Sequence, residues 1–286
     1  MTLPATPAKS SIRIATSADA PQITAVINAA FRVAEEFFID GNRITQAEIE
    51  ESLTKGAFLL AEVNGKAAVI VTKLPGAPRV HPAASDCHDA GRLLAEIHLA
   101  GIEYDAGLEN WRGRAWRERF AEALRPLVSR AEADLIDAEN KYQAIHDNTV
   151  LPQGVIHGDY FHDNVLWDDD GSAGVIDFYF ACDDALAYDA AIGINDWCVT
   201  PEARVDDERA RAFIAGYESQ RPFTDFEREL WPAMLRRAAL RTWLGRLGYN
   251  HFPRASEMTI PKDHAFSRRL LESHIANTQA LAGLVA

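Results

Sequence analysis

His157, Asp159, Asn164 and Asp177 fall within one stretch, 155–178 (VIHGDYFHDNVLWDDDGSAGVIDF), at spacings that suit phosphoryl transfer from a nucleotide. That chemistry needs one carboxylate to accept a proton from the attacking hydroxyl, and further oxygen ligands to hold Mg²⁺ against the phosphates. Asp159 is the expected base, and Asn164 and Asp177 are the expected metal ligands. An aspartate at a strand end is by itself an ordinary turn residue. The compound pattern, HGD-x4-N followed by an aspartate on an apolar strand, is what points to a kinase-type site.

The elements that must position these residues are short. Val155-Ile156 reads as a strand, and His157-Gly158-Asp159 as a turn in which Gly158 lets the backbone bend. Val165-Leu166-Trp167 is the next strand, and Asp168-Asp169-Asp170-Gly171 is a hairpin turn signal. Gly174-Val175-Ile176 is the return strand and delivers Asp177 at its end. A loop and an adjoining hairpin thereby surround one small volume. His157 is expected to orient the loop by bonding to backbone. Asp189 is expected to accept hydrogen bonds from it and so hold Asp159 in place. The chain around this hairpin reads mostly helical, with helices over 84–99, 116–129, 132–145, 185–195, 207–220, 230–247 and 267–284. Thr224 and Glu227 form a capping box. His98, near the end of its helix, reads as a hydrogen-bonded core histidine.

HGDYFHDN and GVIDFYFACDD resemble the catalytic and metal loops of the aminoglycoside phosphotransferase and choline kinase superfamily. The extension FYFACDDALAYDAAIGINDWC resembles the homoserine kinases of that superfamily, which act in threonine biosynthesis. The similarity runs from about Gly65 to His274 and takes in KLPGAPRVHPAASDCHDAGRLLAEIHLAG and LWPAMLRRAALRTWLGRL. The resemblance implies an α+β, protein-kinase-like fold with a mostly helical large lobe and a catalytic hairpin. It also implies ATP and Mg²⁺, a small-molecule hydroxyl substrate (most specifically L-homoserine), Asp159 as base, and Asn164 and Asp177 on the metal. Many homoserine kinases read H-A-D where this chain has Gly158, an exchange expected to be conservative. Thr72-Lys73-Leu74 resembles the hinge whose backbone pairs with an adenine edge. Asp196 and Trp197 are expected to line the amino-acid pocket, Asp196 pairing the ammonium or else capping a helix. Arg241 and Arg246, on one predicted helix, suit the carboxylate, because the guanidinium fork binds carboxylates bidentately. The alternative for each arginine is a surface role.

Residues 1–64 fit this less well. They hold no glycine-rich loop, and Lys55 and Lys66 merely flank an apolar strand. IRIATSADAPQITAVINAAF…FLLAEVNGK resembles the opening of the GNAT superfamily of acyl-CoA N-acetyltransferases, although the later pyrophosphate-binding loop of that family is not found in the chain. A turn is predicted over 38–43, and a second helix starts at Thr45. The chain thus divides into an atypical α/β segment, 1–65, acetyltransferase-like or a diverged small lobe, and a hinge with kinase-like large lobe, 66–286. ATP is expected to bind weakly relative to a complete family member. Besides a kinase, the sequence leaves open a binding protein that kept the metal loop but lost the nucleotide lobe, and an acyl-CoA N-acetyltransferase.

Composition narrows the partners. The 286 residues are 48% hydrophobic and 25% charged, as in globular proteins. A net charge of −13 argues against nucleic acid or an anionic membrane as partner. Cys87, Cys182 and Cys198 form no CxxC pair, which fits a reducing cytoplasm. The first residues lack a signal-peptide pattern, and no apolar run reaches the ~20 residues of a membrane span.

Overall fold

A computed structural model describes residues 11–35, 44–55, 59–63, 66–70, 74–104, 107–146, 151–252 and 263–286. The described residues through Leu74 belong to one compact unit, and those from Pro75 onward to a second.

In the first unit, β1 (Ser11–Ile14) runs into a capping box. The Thr16 N–H and hydroxyl donate to Asp19 Oδ2 at 2.8 and 3.0 Å, and Arg13 pairs with the same carboxylate at 2.5 Å. The Arg13 guanidinium, with the Thr16 N–H, holds the Asp19 carboxyl far below the usual carboxylate range. This cap starts α1 (Ala20–Glu35), and an equivalent Thr45–Glu48 box starts α2 (Gln46–Lys55). Ile23 and Ile49 close a small core between them. β2 (Leu59–Val63) pairs antiparallel with β1 on one side and β3 (Lys66–Ile70) on the other. The turn predicted over 38–43 lies outside the described residues. So do Gly65, Thr72 and Lys73 and the side chains of Lys55 and Lys66.

The second unit begins with α3 (Ala84–Ala100), α4 (Arg114–Leu124) and α5 (Arg130–His146). Two small antiparallel pairs follow: β4 (Gln153–Ile156) with β7 (Cys182–Ala185), and β5 (Val165–Trp167) with β6 (Ala173–Val175). Next come α6 (Leu186–Trp197), α7 (Asp207–Glu218), α8 (Asp225–His251), α9 (His264–Ala276) and α10 (Thr278–Ala282). α8 starts where the Thr224–Glu227 box sets it, five residues before the predicted 230. The single predicted tail helix is two, broken at Asn277, whose Nδ2 donates to the Ser273 carbonyl and ends α9 there.

α6 is buried on nearly every face, which marks it as the centre of the unit. Trp197, Trp231, Trp243, Tyr160, Tyr188 and Tyr217 fill the surrounding core. α3 and α7 approach so closely that a Cβ at Gly91 would lie 2.0 Å from the Phe213 carbonyl oxygen, and one at Gly216 1.9 Å from that of His88. That backbone-to-backbone contact sets His98 of α3 beside Tyr217 of α7. Among the described residues, no helix is long and apolar enough to cross a membrane.

Candidate active site

β4 delivers the chain into His157-Gly158-Asp159, and the loop is held from below by one buried side chain. Asp189, on the first turns of α6 and fully buried, accepts from the His157 N–H at 2.7 Å and the Gly158 N–H at 2.9 Å. Burial alone would raise its carboxyl. The hydrogen bond from His98 (Nε2 to Oδ2, 3.1 Å) and the contacts with His157 outweigh burial and leave it below the usual carboxylate range. His98 Nδ1 in turn bonds the Tyr217 hydroxyl at 2.8 Å, so a polar chain joins α3, α6 and α7 to the loop.

His157 ties the two halves of the site together. Its Nδ1 accepts from the Asp159 N–H at 3.2 Å, which leaves the proton on Nε2, donated to the Ile176 carbonyl at 2.9 Å. The ring therefore links the residues of the expected base to the backbone just before Asp177. Asn164 is nearly buried, with its Nδ2 donating to the Asp159 carbonyl at 2.8 Å. Its Oδ1 has no partner among the described residues. The strand ends at Val175, and Asp177 sits two residues beyond it rather than at its end, at φ 66° and ψ 53°. This is the left-handed region, which few non-glycine residues adopt. Crowding by neighbouring atoms, then the Asp159 charge, raise the Asp177 carboxyl. A raised carboxyl beside a second carboxylate, with a free amide oxygen nearby, is a donor set short of positive charge. It fits a hard cation bound through one or two protein oxygens. Among the described residues no group of three or more His, Cys, Asp or Glu forms an all-protein metal cage.

Asp159 has a cation of its own. Arg241 on α8 donates to Asp159 Oδ1 at 3.0 Å and to the Gly158 carbonyl at 2.6 Å, with only 5% of its side chain exposed. Arg237, one turn earlier on the same face, pairs with Asp184 of β7 at 2.6 Å. Arg241 is expected as a substrate contact, and the tertiary structure pairs it with Asp159. Arg246 is half-buried and donates to the Asp263 carbonyl at 3.0 Å. Asp196 accepts from both the backbone N–H and Nδ1 of His162 at 2.7 Å, raising the His162 imidazole through that hydrogen bond. Trp197 is fully buried, stacked on Tyr160, and offers no surface to a substrate, so its expected place in a pocket wall is corrected. Of the proposed hinge, Leu74 alone is described, and it is exposed.

Gly158 has φ +73°, and a Cβ there would lie 2.5 Å from the Phe180 carbonyl oxygen. The exchange to alanine is therefore not conservative in this chain. Gly158→Ala is expected to lose about 1–3 kcal/mol of stability. Urea denaturation measures it, and a midpoint equal to the wild type refutes the strain.

Sequence reasoning passed over Asn110, Trp111 and Arg112. With Gly158, Tyr188 and Arg241 they line a small cavity next to Asp159. They lie in a connection with no periodicity, and a Trp-Arg pair in a short loop was the only available signal.

The profile described as "Phosphotransferase enzyme family" matches residues 56–223. The homoserine kinase of Methylobacillus flagellatus is 45% identical over 217 residues, spanning 76% of this chain and 68% of that protein. That of Methylobacillus glycogenes is 40% identical over 222 residues, spanning 78% and 70%. Among solved structures, an ethanolamine kinase from Plasmodium vivax superposes with a TM-score of 0.52 at 12% identity, covering 78% of this chain and 76% of that one. This likeness shows the fold alone, and it is the protein-kinase-like α+β fold expected. The acetyltransferase resemblance of the opening segment has no support in these matches.

Proposed function

The chain belongs to the phosphotransferase enzyme family, and within it to the homoserine kinases, and we propose from that premise that it moves the γ-phosphoryl group of ATP onto the side-chain hydroxyl of L-homoserine. The observation that carries the chemistry is the set built by the HGD loop and the β5–β6 hairpin. It comprises a carboxylate fixed by Arg241, an unpartnered Asn164 Oδ1 and Asp177 in the left-handed conformation. The acceptor rests on the relatives.

In this reading Asp159 accepts the proton of the acceptor hydroxyl as its oxygen bonds to the γ-phosphorus. The bond from that phosphorus to the β,γ-bridging oxygen breaks, and ADP leaves. Arg241 and the Asn164 amide hold the Asp159 side chain and carbonyl, so little reorganisation remains for the reaction step. Asn164 and Asp177 would hold Mg²⁺, which when bound neutralises charge on the phosphates. Asp189 and His157 keep the two loops at a fixed spacing.

We assign residues 1–65 to a diverged small lobe and 66–286 to the hinge and large lobe, with Thr72-Lys73-Leu74 as the nucleotide hinge. The family match starts at residue 56 and so takes in the β2–β3 hairpin, which supports the small-lobe reading over the acetyltransferase one.

ADP release with Mg-ATP, with and without L-homoserine, is the test. Homoserine-stimulated release is expected. A folded protein whose ADP release homoserine does not stimulate would overturn the assignment and leave a binding role.

A further inference from the structure

α6 meets the catalytic loop at two places, about two helical turns apart. Asp189 takes the His157 and Gly158 N–H groups, ahead of Asp159. Asp196, near the other end of the helix, takes the loop beyond Asp159. One of its oxygens, Oδ2, accepts from both the His162 N–H and His162 Nδ1, each at 2.7 Å. An ionised carboxylate only accepts, so Nδ1 carries a proton. The imidazole also stands edge-on to buried Trp197, with ring centroids 6.3 Å apart. Asp196 therefore fixes His162 through main chain and side chain together.

His162 opens the short 3₁₀ turn that ends at Asn164. The Asn164 N–H donates to the Phe161 carbonyl at 3.0 Å, and the Asn164 carbonyl accepts from the Ile176 N–H at 3.0 Å. Ile176 directly precedes Asp177. A hold on His162 thus passes through a few backbone bonds to both expected metal ligands. Asp159 has separate support, from Arg241 on its carboxylate and from Asp189 on the backbone before it. We propose that Asp196 is a positioning residue that sets Asn164 and Asp177 for the metal, and that it does not contact the acceptor ammonium. The proposal rests on the kinase reading above. The Asp196 and His162 side chains are both partly exposed, so water can replace the carboxylate and its removal leaves the fold in place.

The test uses the full chain and two readouts. Without nucleotide or metal, amide hydrogen exchange over 162–164 is expected to quicken about tenfold in Asp196→Ala, while the His157 and Gly158 amides change by less than about twofold. In homoserine-dependent ADP release, the Mg²⁺ concentration for half-maximal rate is expected to rise about tenfold, as when a group behind a metal ligand is removed. The KM for L-homoserine stays within about twofold, and high Mg²⁺ restores kcat. Asp196→Asn keeps an oxygen for the His162 N–H but not the charge. Its exchange and Mg²⁺ response are expected within about threefold of the wild type, and it guards against a misfolded alanine variant. A homoserine KM raised in both variants with the Mg²⁺ response unchanged would assign Asp196 to the acceptor ammonium and overturn the proposal. Unchanged exchange over 162–164 in Asp196→Ala overturns it as well. If homoserine does not stimulate ADP release by the wild type, the kinase reading fails separately, and the exchange measurement still decides whether Asp196 holds the turn.

Discussion

Asp159→Asn is expected to lower homoserine-dependent ADP release by about 10²–10⁴-fold, the range that a positioned general base contributes. The amide keeps the shape of the side chain, and its oxygen can still accept from Arg241, but it cannot take the proton of the attacking hydroxyl. Stability changes less than activity. Arg241, almost fully buried, loses a charged partner yet keeps the Gly158 carbonyl at 2.6 Å. The weakened charge-assisted bond is worth about 1.5–3 kcal/mol. Turnover and thermal melting are measured on the same preparation. Activity within tenfold of the wild type would remove Asp159 from the role of base, and a melting transition that vanishes altogether would make the kinetic comparison one of folding.

Asp189→Ala is expected to cost about 3–5 kcal/mol, a large part of the 5–15 kcal/mol typical of a domain. The reason is what it strands. The His157 N–H, the Gly158 N–H and His98 Nε2 all point at its two oxygens in a region with no accessible surface. Behind them the polar chain continues through the Tyr217 hydroxyl to Arg221 (3.3 Å) and from Arg221 to buried Glu227 at 2.9 Å. Asp189→Asn is the milder companion, because an amide offers one acceptor where three donors converge. The pH sign follows from the lowered carboxyl. A group whose folded pKa lies below its unfolded value of 3.8 stabilises the fold above that value, and the contribution is lost as pH falls through the folded pKa. The wild type's advantage over Asp189→Asn is therefore full at pH 7 and narrows below 3.8. Urea denaturation at pH 7 and pH 3 measures it. A difference under about 0.5 kcal/mol at pH 7, the range of an ordinary surface substitution, would show that the network does not hold the loop.

Local order explains what was readable. The turn at Gly158, the hairpin over 168–171, the helix start at Thr45 and the cap at Thr224 involve residues a few positions apart, whose chemistry is complete within the segment. Helix existence followed from periodicity. Helix ends moved by a few residues, and Asn277 divided the last helix, because a side chain bonding its own backbone competes with helix continuation.

Partner choice was not readable in that way. A helical stripe says that Arg237 and Arg241 share a face but not what they meet. Arg241 finds Asp159 82 residues away, and His98 finds Asp189 91 residues away. Trp197 was expected to line the pocket with Asp196, and the burial of α6 made it core. By itself the sequence determined the catalytic loop, the metal-ligand candidates and the family, because those depend on spacing along the backbone. Only the tertiary structure decided that Arg241 pairs with Asp159 and that Arg237 pairs with Asp184. Charges pair through space, and the packing of α8 and the 108–112 loop against the catalytic hairpin places them.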